Sequence, residues 1–89
     1  MKMSYRELKF YLIVHLDKEN FFFRKLCLRV INRAEDILLS RSSRDLNEFA
    51  EIIHEEIKEH ENPETLLLLR ALTTPFVSKN SKTLIADNF

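Results

Sequence analysis

The chain has 89 residues, of which 45% are hydrophobic and 31% charged, and its formal net charge is zero. This length fits one domain but not two, and the composition is typical of a folded globular protein. The chain contains no glycine, which argues against an all-β fold and against a glycine-rich phosphate loop, since both need glycine at tight turns. We therefore expect an all-α fold, a small bundle of three long helices plus one short C-terminal helix, as a single domain over residues 1–77.

The first predicted helix begins at Ser4, which has the spacing of a capping box with Glu7. Helical spacing continues in the apolar residues Tyr5, Leu8, Leu12 and Leu16. Residues 8–16 also alternate as a strand would, and residues 83–86 are the best candidate to pair with such a strand. As a helix, residues 10–14 are apolar on every side, so we expect the helix to be central or to face a second copy. This apolar run is far shorter than the ~20 residues that span a bilayer, and we expect no membrane contact.

The second predicted helix, residues 21–39, has the strongest apolar pattern in the chain. Its stripe consists of Phe23, Cys27, Val30, Ala34 and Ile37, widened by Leu26, Ile31 and Leu38. The polar residues 17–20 precede it, and either Asp17 or Asn20 could cap it. No glycine or proline enforces a break there, so one bent helix over residues 4–39 is the alternative. The lone cysteine lies on the stripe, which predicts a buried core residue and fits a reducing cytoplasm.

The third predicted helix covers residues 45–61, after a short loop, residues 40–43, in which Ser42 or Ser43 would act as its cap. Its apolar stripe consists of Leu46, Phe49, Ile53, Ile57 and His60, flanked by Ala50 and Ile52. Asn62 and Pro63 end this helix and start a short fourth helix that reaches residue 72. Phe76 and Val77 are expected to fold back onto the core, and residues 78–89 to form a flexible tail.

Charge is distributed unevenly along the chain. Residues 1–44 hold ten Lys/Arg against five Asp/Glu, whereas residues 45–64 hold one against eight. Lys25, Arg29 and Arg33 recur at steps of four, so they could follow a phosphate backbone, with residues 21–23 as a stacking face. The alternative is that this basic flank lies beside the acidic flank of the third helix in an antiparallel hairpin. We favour the second interpretation, because a nucleic-acid binder usually keeps a basic net charge.

Metal and catalytic patterns are weak. Glu51 and His54 have the Glu-x-x-His spacing that di-iron bundles use twice, but here it occurs once. Glu35 or Asp36 could add a ligand, yet Glu51 and His54 point away from the predicted stripe, so we expect a solvated face and no metal. Glu56 and His60 fit a helical ion pair, and His15 fits an interfacial or core position. No triad pattern accompanies any histidine, and we expect neither an enzyme nor a cofactor.

The predicted helices carry more apolar surface than four short helices readily enclose. The candidate partner interface consists of Phe21, Phe22, Leu66, Leu67, Leu68 and Leu69. A four-leucine run cannot face one way on a helix, so part of it must be enclosed or form an interface. We expect a cytoplasmic, homodimeric protein-interaction module, such as an adaptor, assembly factor or regulatory subunit, whose acidic third helix selects positively charged partners. The alternatives are a nucleic-acid-binding regulator that uses the basic row, and a larger core without any partner.

Overall fold

The computed structural model describes residues 4–77. These residues form four α-helices, α1 (Tyr5–Leu16), α2 (Phe21–Ser40), α3 (Leu46–Lys58) and α4 (Leu67–Thr73). Short 3-10 helices at Pro63–Leu66 and Thr74–Phe76 flank α4. The described residues contain no strand, and Ser4 and Asp45 form an isolated antiparallel bridge. The predicted all-α bundle of three long helices and one short C-terminal helix is confirmed, and residues 8–16 are helical.

Side-chain caps mark the starts of α1 and α2. The backbone N–H of Ser4 donates to Glu7 Oε1 at 2.8 Å, as the capping box requires. Asn20 Oδ1 accepts from the backbone N–H of Phe23 at 3.0 Å, which satisfies one of the unpaired donors at the start of α2. The chain therefore breaks between Leu16 and Phe21, and the single bent helix is excluded.

The end of α2 is a Schellman motif built without glycine. The Ser43 N–H donates to the Leu38 carbonyl at 3.2 Å, and the Ser42 N–H donates to the Leu39 carbonyl at 2.9 Å. These are the two bonds that define the motif, and the residue at its centre must take a left-handed conformation. Ser42 does so with φ 56°, in a position that glycine usually fills because side chains disfavour it.

The cap of α3 is Asp45, and the prediction of Ser42 or Ser43 was wrong. Asp45 Oδ2 accepts from the Glu48 N–H at 2.8 Å, while Ser43 Oγ accepts from the Asp45 N–H at 3.1 Å. Both serines are used to end α2, which leaves the aspartate to begin α3. The helix also ends at Lys58, three residues earlier than predicted.

All four helices contribute to one core. The fully or nearly fully buried apolar side chains are Tyr5, Leu8, Leu12 and Leu16 of α1, Cys27, Val30, Ile31, Ala34 and Leu38 of α2, Phe49, Ala50, Ile52, Ile53 and Ile57 of α3, then Leu66, Leu69 and Val77. The Tyr5 ring meets the Phe49 ring edge to face at 5.2 Å. Phe76 is half-buried and its carbonyl accepts from Asn47 Nδ2 at 2.6 Å, so the segment after α4 folds back as predicted.

A polar cluster fixes α1 against α2 at the edge of this core. Glu35 Oε2 accepts from the Tyr5 hydroxyl at 2.7 Å, and Glu35 Oε1 accepts from Lys9 Nζ at 2.7 Å. The Lys9 ammonium and, more weakly, the Tyr5 hydroxyl lower the pKa of the Glu35 carboxyl against the opposing effect of its burial. Because the carboxylate accepts from two residues of α1, it reinforces the rotation that the buried apolar side of that helix sets.

Candidate protein-interaction surface

The solvent side of α1 is apolar. The helix directs Tyr5, Leu8, Leu12 and Leu16 into the core, and this leaves Phe10 and Val14 on the opposite side. Phe10 is 68% exposed and Val14 50% exposed, and Ile13 and Tyr11 flank them with more than a third of each side chain in solvent. We call these four residues the α1 outer face. Their exposure shows that α1 is not enclosed on every side. The expected contact with a second copy stays a prediction.

A second apolar group lies at the start of α2, where the sequence predicted part of the interface. Phe22 is 81% exposed and Phe21 56% exposed, and their rings meet edge to face at 5.7 Å. The Arg24 guanidinium and the Lys25 ammonium lie 5.9 and 5.5 Å from the centre of the Phe21 ring. Cations at these distances are attracted to the face of an aromatic ring, so this surface combines aromatic and positive character.

The leucine run divides between core and surface. Leu66 and Leu69 are fully buried, whereas Leu67 is 57% exposed and Leu68 is 40% exposed. Positions 66 and 69 are three residues apart and therefore point the same way, toward the core. The structure removes Leu66 and Leu69 from the predicted partner interface. Leu67 remains accessible and lines a groove of about 650 Å³ together with Ile57 and Pro63.

Two arginines, one on the basic flank of α2 and one just after that helix, meet the acidic flank of α3. Arg33 Nε lies 2.8 Å from Glu56 Oε1, and Arg41 lies 3.2 Å from Glu48. Both contacts join α2 to α3 and fit the intramolecular interpretation of the charge pattern. Such pairs are partly exposed and contribute modestly to stability, about 0.2–1 kcal/mol each, but they favour this pairing of helices over others.

The Glu-x-x-His pair lies on α3 beside α4. His54 Nε2 is 2.7 Å from Thr73 Oγ1 and 3.3 Å from the Arg70 carbonyl oxygen. The expectation of a purely solvated face is therefore wrong for His54, which joins two helices. Across residues 4–77, no group of three or more His, Cys, Asp or Glu side chains is placed to hold a metal ion.

Acidic side chains line a groove along α3. Its volume is about 590 Å³, and its carboxylates belong to Glu48, Glu51, Glu55, Glu56 and Glu59. Glu48 is paired with Arg41, which also lines the groove, and Glu56 is paired with Arg33. Ile37 and Val77 supply apolar lining. This groove carries the negative charge that the sequence assigned to partner selection.

Cys27 and His15, two further side chains with possible reactivity, both pack against neighbouring side chains. Cys27 is fully buried, and burial, assisted by the nearby Glu19 carboxylate, raises the pKa of its thiol to about 11. A thiol in this state is a poor nucleophile at neutral pH. His15 is half-buried, and the centre of its ring lies 4.4 Å from that of the Tyr11 ring, with the two planes tilted by 58°.

Comparison of the chain with protein-family models, with curated proteins and with solved structures found no match in any of the three. Among residues 4–77, no helix combines the length and the apolar character needed to cross a membrane.

Proposed function

We propose that this protein is a non-enzymatic protein-interaction module that self-associates as a homodimer, and that it works in the cytoplasm as an adaptor, assembly factor or regulatory subunit. The observation that carries the proposal is the α1 outer face, with Phe10 and Val14 standing in solvent. Burying a large apolar side chain fully is worth about 1.5–3 kcal/mol. A chain of this size gains substantially by covering such a face with a second chain.

The other exposed surfaces would then be available to a partner. Phe21 and Phe22 form one such surface, and Leu67 and Leu68 form another. The acidic groove along α3 favours partners that carry Lys or Arg, because complementary charge steers association and suppresses wrong partners.

Sedimentation equilibrium across micromolar to millimolar chain concentrations tests the proposal directly. We expect the average mass to rise from monomer toward dimer, and the double variant Phe10→Asp with Val14→Asp to remain monomeric. The matched control is Phe22→Asp, which also adds a charge to an exposed aromatic position but lies outside the α1 outer face. A mass that stays monomeric over the whole range contradicts self-association.

The alternative function is a nucleic-acid-binding regulator. Its support is the exposed aromatic pair at the start of α2 with Arg24 and Lys25 beside it, since bases stack on aromatic rings next to cations. Arg29 is exposed and could extend this surface, whereas Arg33 pairs with Glu56. The alternative predicts oligonucleotide binding that falls steeply with salt and is abolished by Arg29→Glu. Fluorescence anisotropy with a labelled oligonucleotide measures both.

A further inference from the structure

Charged residues at both ends of α1 frame its outer face in a pattern that fits a second copy. Arg6 lies one turn before Phe10, and Asp17 lies nearly one turn after Val14. At about 100° per residue, both fall on the same side of a line drawn parallel to the helix axis midway between Phe10 and Val14. Asp17 keeps a helical backbone as the cap of α1. Both side chains are exposed. The Arg6 charge also acts on the neighbouring Glu35 carboxyl and helps to lower its pKa.

The opposite flank carries the reverse arrangement. Glu7 lies three residues before Phe10 on that side, and Lys18, in the turn that follows α1, lies four residues after Val14. Both are exposed. Each flank of the α1 outer face therefore has one positive and one negative end, and the two flanks have opposite polarity.

We propose, as a refinement that rests on the proposed self-association, that two copies pair through α1 in antiparallel orientation. A twofold axis perpendicular to two antiparallel helices brings equal flanks together with their ends reversed. When Phe10 of one copy faces Val14 of the second, Arg6 comes within one residue of Asp17 of the second copy. Each such pair occurs twice in the dimer.

The charges on the other flank also meet opposite charges in the same register. Glu7 comes within one residue of Lys18 of the second copy. The apolar contact then sets a large side chain, Phe10, against a smaller one, Val14, and this fills space better than two facing rings. One register of the antiparallel pair thus satisfies both flanks and the apolar centre.

Parallel pairing fits less well. It would also bring unlike charges near each other, because Arg6 would face Glu7 of the second copy. However, it aligns the two helix dipoles unfavourably and sets Phe10 on Phe10. The contact is confined to one face of a 12-residue helix, so the interface is small and the dimer is weak.

Charge reversal distinguishes the two orientations. Arg6→Asp alone puts two acids together at both ends of the antiparallel dimer, and Asp17→Arg alone puts two bases together. We expect each single variant to dimerise about tenfold more weakly than the original chain, since exposed ion pairs have small individual energies. An equimolar mixture of the two variants should regain dimerisation, because every pair across the mixed dimer is then of opposite charge. In a parallel dimer, mixing leaves like charges facing each other and restores nothing.

Sedimentation equilibrium measures these dissociation constants, and Arg44→Asp, at an exposed loop position, is the charge-matched control that should leave dimerisation unchanged. Circular dichroism must show equal helix content in all variants. Disulfide trapping gives a second measurement: Phe10→Cys mixed with Val14→Cys should cross-link faster than Phe10→Cys with itself.

The outcomes separate the two proposals. If the original chain dimerises but mixing gives no recovery, or if Phe10→Cys cross-links preferentially with itself, the antiparallel geometry is overturned while self-association stands. If the original chain is monomeric throughout, both proposals fall.

Discussion

Replacing Tyr5 by Phe tests how much the Glu35 cluster stabilises the docking of α1. The change removes the hydroxyl that donates to Glu35 at 2.7 Å and keeps the ring that packs on Phe49. A hydrogen bond to a charged group is worth about 1.5–3 kcal/mol. Because the Glu35 side chain is 21% exposed, solvent weakens the interaction, and we expect a loss of about 1–2 kcal/mol at pH 7.

The loss must depend on pH with a definite sign. The pKa of the Glu35 carboxyl is lowered in the folded chain, so its contribution is present above the ordinary pKa of a glutamate. It disappears as pH falls through the lower, folded-state pKa. The difference between the original chain and Tyr5→Phe should therefore shrink at pH values where the carboxyl is protonated.

Urea unfolding measures this difference at pH 7 and at the lowest pH at which the chain stays folded. Both series use one fixed chain concentration, because association couples to stability. Tyr11→Phe is the matched control, since it removes a hydroxyl from the same helix at a more exposed position. It should cost less and show no pH dependence. An equal loss for Tyr5→Phe at both pH values would refute the assignment of its effect to the Glu35 charge.

Three further predictions concern the core, a cap and the thiol. Leu69→Ala should lower the free energy of unfolding by about 2–5 kcal/mol because it opens a cavity in the core. Leu68→Ala, at a partly exposed position, should lower it by less than about 1 kcal/mol. Similar losses for the two variants in urea unfolding would contradict the division of the leucine run between core and surface. Asp45→Ala should lower the free energy of unfolding by about 1 kcal/mol through loss of the α3 cap, and an unchanged urea midpoint would exclude that role. Cys27 should react with a thiol reagent at pH 7 far more slowly in the folded chain than in urea, because it is buried and its pKa is about 11; equal rates would show that the thiol is accessible.

The sequence predicted the helices and their inward faces well, because burial follows a local rule of spacing. Tyr5, Leu8, Leu12 and Leu16 are buried because they share one side of α1. The same spacing puts Leu66 and Leu69 on one side of the helix. The sequence alone could not tell whether that side or the side of Leu67 and Leu68 faces the core. The intramolecular pairing of basic and acidic flanks followed from the charge distribution, although the particular partners did not.

The contacts that the sequence did not predict depend on how one helix is rotated against another. Tyr5 and Glu35 are 30 positions apart in the chain, and no spacing relates them. The α3 cap was misplaced for a different reason: Ser42, Ser43 and Asp45 all have side chains that can cap a helix, and the left-handed turn at Ser42 decides among them. The predicted tail, residues 78–89, lies outside the described residues.

The left-handed serine between α2 and α3 has a practical consequence for anyone altering this scaffold. Glycine takes that backbone shape without the steric penalty of a side chain, which is about 1–2 kcal/mol for an ordinary residue and is offset in part by the extra disorder of glycine when unfolded. Ser42→Gly should therefore raise the free energy of unfolding of the bundle without changing the exposed faces of its helices. In a chain that carries Ser42→Gly, destabilising interface variants would stay folded, so their association could be measured.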